Sequence, residues 1–496
     1  MKILAYIIFL IPIQLFFSQE NYGSLNSNYM PTNSVLINPS SILDAKTRID
    51  INVASAATFL MNNIVYIENN SLRSYIHNKN YERELTFSNS PHVFDKKFGA
   101  TLKPDLNNNK YHLYNRTNIQ GPSFVFSQGD HAFGLGLATR SYSDIRNLPK
   151  EVINTLLDSE INIYQEIKAK NMSATNITYG DIKLSYAHTF KRQKRNMFMG
   201  GVSFSKFIPI VALASKIDRL NFEIFADNNN IGHIFEMNSN TSILQANKLK
   251  FSSGFGVDLG FTYQRMLYEV YTYQPNSDKE KCRRVYYLYK IGVSLMDIGK
   301  IKFQEDELDF QSVQATNFDW NRETISQNNF NVLNQFNKYA TSDQSKAFIK
   351  KLTKVRLPSY CSIQADYNVW NNKLYANLTL VQRLPLAQKS YGVLRANSIC
   401  LSARYETQFF EVAMPLSLYE YRYGQIGLTC RFWFLTLGTD KLLNMFIDSD
   451  IYGADVYFAL KIPIVYHPKC RDGVMDRFNF YPKKFRRKDR GCGVKL

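Results

Sequence analysis

Residues 255–263 read Phe-Gly-Val-Asp-Leu-Gly-Phe-Thr-Tyr, with a large apolar side chain at every odd position and a small or polar one at every even position. A period of two belongs to a β-strand lying between two unlike surroundings, because successive side chains leave opposite faces. Ile49, Ile51 and Val53 alternate with Asp50 and Asn52 in the same way. The pattern recurs on both sides of the Gln128-Gly129-Asp130 turn, of the 191–196 turn Lys-Arg-Gln-Lys-Arg-Asn and of Asn371-Asn372, and again through 286–299, 398–407, 409–418, 423–438 and 454–466. About fourteen such strands are expected.

Soluble sandwiches alternate too, so strand and loop lengths decide. Many of these segments reach ten residues, which suits the roughly 9–11 that cross a bilayer at a tilt and exceeds the usual five or six of soluble strands. Short turns alternate with long polar connections at 60–95, 143–177, 226–247 and 304–356. Thirty-five Phe and 32 Tyr against three Trp suit lipid-facing strands and their aromatic girdles better than helical cores. The expected class is therefore all-β, a transmembrane antiparallel barrel of about 14 strands with long extracellular loops. Residues 148–171, opened by Pro149, and 342–360 have a loose helical spacing that reads as ordered rim loops.

Met1-Lys2 precede an unbroken apolar run from Ile3 to Phe17, then Ser18. The run reads as a secretory signal peptide over residues 1–18, although Phe16 makes the cleavage site imperfect; an uncleaved N-terminal anchor is the competing reading. No later stretch approaches the ~20 apolar residues of a membrane helix, so any crossing falls to strands.

A net charge of +18 raises the question of a polyanionic partner. Abundant Lys, Asn, Ile, Tyr and Phe together are also what an AT-rich genome produces by codon bias, and no nucleic-acid partner is expected. Six widely spaced Cys with no C-x-x-C indicate neither a zinc site nor a dense disulfide framework.

The segments 31–53, 256–264 with 289–303, 404–418 and 453–464 together resemble an uncharacterised family of Bacteroidota outer-membrane barrels related to the FadL and PorV type, over roughly residues 30–466. In the FadL type an N-terminal hatch with an Asn-Pro-Ala step occupies the lumen. Asn38-Pro39-Ser40 is similar to it, with Ser in place of Ala. The resemblance thus implies a hatch-like segment over 19–47 and a barrel over 48–466. Pro39 denies that stretch a helix, which is compatible with an extended plug.

Residues 467–496 carry ten Lys or Arg against three Asp, the density of a solvated periplasmic interaction tail, densest at Lys483, Lys484, Arg486, Arg487, Lys488 and Arg490. Asp472 to Asp476 resembles a decayed thrombospondin type 3 repeat. Two Asp cannot supply the six or more oxygens calcium needs, so weak or no calcium binding is expected. Cys470 and Cys492 are candidates for a disulfide closing the tail, as suits an exported protein.

Catalytic patterns are poor. Seven scattered His lack metal-ligand spacing, no Gly-x-Ser-x-Gly elbow precedes a helix, and His188 reads as a strand side chain. No enzyme activity, metal or cofactor is expected. Lys183, Lys206, Asp258 and Asp297 are candidates to face the lumen and fill it by pairing. The favoured function is a docking or scaffold subunit of an envelope complex, in contact with outer-membrane lipid and lipopolysaccharide and reaching periplasmic or cell-wall partners through its tail. The alternatives are a FadL-like channel for hydrophobic small molecules and a soluble secreted adhesin.

Overall fold

The computed structural model describes residues 22–465 except 72–81, 88–97, 106–109, 151–165, 225–229, 245–252, 278, 281–283, 303–307, 322–353, 386–391 and 454. The signal-peptide reading, the tail with Cys470 and Cys492, and most of both helical rim segments lie outside the described residues.

Fourteen antiparallel strands among the described residues close into a transmembrane barrel. They are β1 (Ile49–Asn62), β2 (Lys110–Gln120, resumed as Ser123–Gln128 after Gly121-Pro122), β3 (His131–Pro149), β4 (Ile167–Gln193), β5 (Asn196–Ile224), β6 (Ser253–Met266) and β7 (Tyr287–Lys302). The circuit continues with β8 (Tyr360–Trp370), β9 (Leu374–Arg383), β10 (Ser398–Glu406), β11 (Phe410–Tyr419), β12 (Tyr423–Ile426, resumed as Leu428–Phe432), β13 (Leu435–Thr439) and β14 (Asp455–Ile464). The seam joins β1 to β14, from Ile49↔Ile464 to Phe59↔Asp455, so no sheet edge faces lipid.

Residue chemistry sorts by face. Ile182, Leu184, Phe204, Leu259, Leu401 and Leu416 are exposed on the outer surface, while Asp181, Lys183, Ser203, Asp258, Ser402 and Ser417 are buried inside. Such a wide apolar exterior would aggregate in water and is at home in hydrocarbon. An aromatic girdle crosses β3–β7 near the end that carries both ends of the barrel chain, with Phe133–Tyr186 centroids 5.2 Å apart, Phe198–Tyr263 5.2 Å and Tyr263–Tyr289 6.1 Å. Tight turns cluster at this turn end: Gly129 has φ 64°, and Asn371 and Asn372 have φ 48° and 54°, the left-handed pair that a two-residue hairpin turn requires.

The opposite, loop end departs from expectation. β4 and β5 run for 27 and 29 residues, through connections read from sequence as loops. The upper half of β5 pairs with Asn230–Leu244, which pairs in turn with Leu308–Asn321. Pro149 ends β3. A second sheet, Val65–Asn70, Glu82–Phe87, Phe98–Pro104 and Ser449–Ile451, also stands at this end.

Lys441, between β13 and β14, is 8% exposed, with its ammonium 3.4 Å from the Leu60 carbonyl and 5.3 Å from the centre of the Phe59 ring. Burial lowers its pKa from 10.5 to about 8, with Asp455 and Asp440 pulling upward less strongly. The folded pKa lies below the unfolded one, so between about pH 8 and 10.5 the unfolded chain binds more protons and stability rises with pH. The midpoint of heat-dependent unfolding in detergent should climb from pH 7.5 to 9.5, and Lys441→Met should flatten the climb. A flat wild-type curve would show that Lys441 titrates normally.

Candidate functional site

Residues 22–46 enter the lumen from the turn end, and most of their side chains are buried. They are rich in Ser, Asn and Thr, which cannot form an apolar core but can be satisfied within a polar barrel wall. The segment is a string of short helical turns, α1 (Tyr22–Leu25), α2 (Pro31–Ser34) and a 3-10 turn at Pro39–Ile42. This corrects the extended plug expected from Pro39. Proline sits at the first position of its turn, where a missing N–H costs nothing, and Asn38 caps that turn by accepting from the Ser40 N–H at 3.0 Å.

The wall answers this plug residue by residue. Asn26 donates to Asn377 at 3.0 Å and Thr379 at 2.9 Å. Ser27 donates to Glu411 at 2.7 Å, and Asn28 donates to Glu406 at 2.7 Å and Tyr287 at 2.8 Å. Thr32 donates to Asp50 at 2.6 Å, and the Lys461 ammonium reaches Asn33 at 2.7 Å. Asp44 pairs with Lys290 at 2.6 Å, and Lys46 with Glu406 at 2.7 Å. Burial is the largest influence on both plug ions, raising the Asp44 carboxyl and lowering the Lys46 ammonium, while Lys290 and Glu406 respectively pull each back. Arg404 backs this corner by donating to Glu406 at 3.0 Å and Asp366 at 2.9 Å.

The Asn38-Pro39-Ser40 step lies on a bare patch of wall. A Cβ added at Gly201 would collide with the Pro39-Ser40 backbone, one at Gly260 with the Asn38 side chain and Pro39, and one at Gly292 with Asn38 and Gln364. Asn38 donates to Gln364 at 3.0 Å, and its oxygen accepts from the Ser40 hydroxyl at 2.7 Å. The three wall glycines are needed for close approach and not for unusual backbone angles.

Toward the loop end, a second layer brings together three of the four sequence candidates. Lys183 pairs with Asp258, whose other oxygen accepts from the Asp297 N–H at 2.7 Å, while Arg140 bridges Asp181 at 2.9 Å and Asp297 at 3.0 Å. Lys206 differs from expectation. Ser203, Ser205 and Phe207 are the buried residues of that stretch, so Lys206 takes the outer face, with its ammonium 4.1 Å from the centre of the exposed Phe255 ring. Above the ions lies an aromatic layer of Phe59, Tyr114, Tyr142, Tyr179, Phe207 and Tyr419, in which Phe59 and Tyr419 centroids are 4.6 Å apart. Voids between plug and wall are small: one of about 30 Å³ is lined by Asn28, Asn38, Asp44 and Lys290. It has room for about one or two waters.

Sequence reading missed Lys46, Asp50, Asp366, Arg404, Glu406, Glu411, Arg431 and Lys461, which clamp the plug at one side. Their signal was available: seven of these eight lie on strands at positions whose neighbours point outward. Among the described residues, no group of three or more His, Cys, Asp and Glu is placed to hold a metal ion.

Residues 39–440 match a family described as "Family of unknown function (DUF5723)". No curated protein matches the chain. Among solved structures, the chain is similar to a TodX deltaS2S3 mutant monoaromatic hydrocarbon channel (8% identity, 86% of this chain and 93% of that one, TM-score 0.36). It is also similar to the Pseudomonas putida toluene transporter TodX (10%, 90% and 99%, TM-score 0.30) and to a Pseudomonas aeruginosa FadL homologue (8%, 88% and 94%, TM-score 0.19).

Proposed function

This chain belongs to the DUF5723 family, and from that premise we propose that it is an outer-membrane channel whose residues 22–46 form a displaceable hatch and whose solutes are small and apolar. The observation that carries the proposal is the chemistry of the plug's grip. Asn26, Ser27, Asn28, Thr32, Asn38, Asp44 and Lys46 tie it to the wall through side-chain hydrogen bonds and ion pairs, beside apolar contacts of Leu25, Val35, Ile37, Ile42 and Leu43. A neutral bond of this kind is worth about 0.5–1.5 kcal/mol net and one to a charged group about 1.5–3, because water replaces it when the partners separate. Water can replace the polar partners when the plug leaves, so the apolar area of Leu25, Val35, Ile37, Ile42 and Leu43 sets most of the cost of release.

The aromatic layer beyond the plug supports the solute class, since the onward route is filled by rings such as Phe59, Tyr142 and Tyr179, packed on one another and buried, and a solute that parts them meets apolar area. Short turns and both ends of the barrel chain at one rim support a periplasmic position for that rim. The docking role draws on the tail at 467–496, which lies outside the described residues, on the long loops and on the lack of catalytic patterns, and the hatch-like plug supports the channel instead.

Gly260→Val tests the hatch. Its side chain would occupy the space of Asn38 and Pro39, an overpacking that costs about 1–3 kcal/mol and falls on the docked state alone. Proteoliposomes carrying the variant should pass a small aromatic solute about tenfold faster at an unchanged, heat-modifiable barrel. Unchanged flux with a demonstrably unseated plug would overturn the channel reading.

A further inference from the structure

The outer wall behind the plug is hollowed. A groove of about 530 Å³ crosses β4, β5, β6 and β7 at the turn end, floored by Gly200, Gly201 and Gly260 and edged by Tyr186, Phe190, Leu259 and Phe261. The strand registers explain its depth. Across the four strands, one outward row reads His188, Gly200, Phe261, Val293 and the next reads Tyr186, Val202, Leu259, Leu295. The inward row between them is Ala187, Gly201, Gly260, Ser294, kept small where the plug presses from inside. Gly200 leaves a gap in the outward surface, into which the Phe190 ring leans from the turn side while the side toward Val202 and Leu259 stays open.

The adjoining hairpin turn is basic. Lys191, Lys194 and Arg195 are exposed and, among the described residues, take part in no ion pair. Arg192 in the same turn pairs with Asp130. Lys191 is three residues from His188, about 10 Å along the strand at 3.3 Å per residue. An apolar trough of ligand size thus opens beside three unneutralised cations at the level of the aromatic girdle.

We infer that this groove and turn bind one anionic phospholipid of the turn-side leaflet, its acyl chain lying across Gly200 and its phosphate held by Lys191, Lys194 and Arg195. Charge complementarity selects this occupant. A zwitterionic lipid would fill the trough equally well but bring no net charge to the turn, and basic groups at a membrane surface favour anionic headgroups. The inference goes beyond transport and does not depend on plug movement.

Native mass spectrometry of the whole barrel, released from detergent with phosphatidylglycerol or phosphatidylethanolamine of matched chains, tests it. The wild type should retain one phosphatidylglycerol with about tenfold preference over phosphatidylethanolamine. Lys191→Gln with Lys194→Gln and Arg195→Gln should abolish that preference. Gly200→Leu, whose added carbons point into the groove beside Phe190 and away from the plug, should reduce retention of both lipids while heat-modifiable migration stays normal. Equal retention of the two lipids by the wild type, or a preference that survives the triple substitution, would overturn the headgroup assignment. Undiminished retention by a folded Gly200→Leu barrel would overturn the groove as the site.

Discussion

Deleting residues 20–46 should raise the flux of a small aromatic solute through reconstituted barrels about a hundredfold. A plug whose docked state is favoured by only about 2.7 kcal/mol leaves the path open about 1% of the time, and deletion removes that equilibrium altogether. The polar partners it abandons, among them Asn377, Glu411, Asp50 and Ser294, then face a water-filled lumen and lose no burial that water cannot compensate. The barrel should therefore still migrate as a folded species before heating. Ion current should respond less than the aromatic solute, because the Phe59–Tyr419 contact and the Arg140–Asp297 bridge still cross the lumen beyond the plug. Adding Phe59→Ala and Tyr419→Ala to the deletion should then release the current. If the deleted barrel passes neither solute nor current even with both alanines, the lumen is not a route.

The second large effect is expected at Glu406. Its carboxylate is fully buried and accepts from Lys46, Asn28 and Arg404 at once. Glu406→Ala strands an ammonium and part of a guanidinium in the wall, a loss of about 3–5 kcal/mol for breaking a buried pair from one side. The midpoint of heat-dependent unfolding should fall, and a protease at the turn end should cut the plug in the folded barrel. Lys46→Met combined with Glu406→Leu should recover most of the loss, because Arg404 keeps Asp366 at 2.9 Å and no unpaired ammonium remains. A single Glu406→Ala variant within about 1 kcal/mol of the wild type would mean that water already screens this corner.

The barrel could be read from sequence because its two faces differ chemically at every strand position, as in Phe255 to Tyr263. The hairpin turns could be read because Gly129, Asn371 and Asn372 are the residue types that accept their backbone angles. The length of β4 and β5 could not. Beyond the membrane Lys216, Asp218, Arg219 and Glu223 enter the strand, and the apolar positions that hold the strands, Ile167, Ala169, Met172 and Phe222, meet only across the β4–β5 register, so the extension reads from sequence as a polar loop. A charged residue in a strand reads as lumen-facing, and Lys206 departs from that reading. Phe207 takes the interior instead, and the long lysine stem lies along Phe255. The hatch step was legible at Asn38-Pro39-Ser40, but its receptor was not: Gly201, Gly260 and Gly292 are scattered in sequence and only strand register gathers them.

Plug contacts also order the events of folding. The plug is made first, yet its partners are late: Thr32 bonds Lys461 across 429 positions, Ser27 bonds Glu411 across 384 and Asn26 bonds Thr379 across 353. Contacts of such separation form only after the intervening loop has been closed, and that closure is slow. The β1–β14 seam spans a similar distance. Thr32 can meet Asp50 as soon as β1 forms, but the grip of Lys461 on Thr32 and Asn33 needs β14 in place, so the plug's last anchor coincides with the completion of the circle.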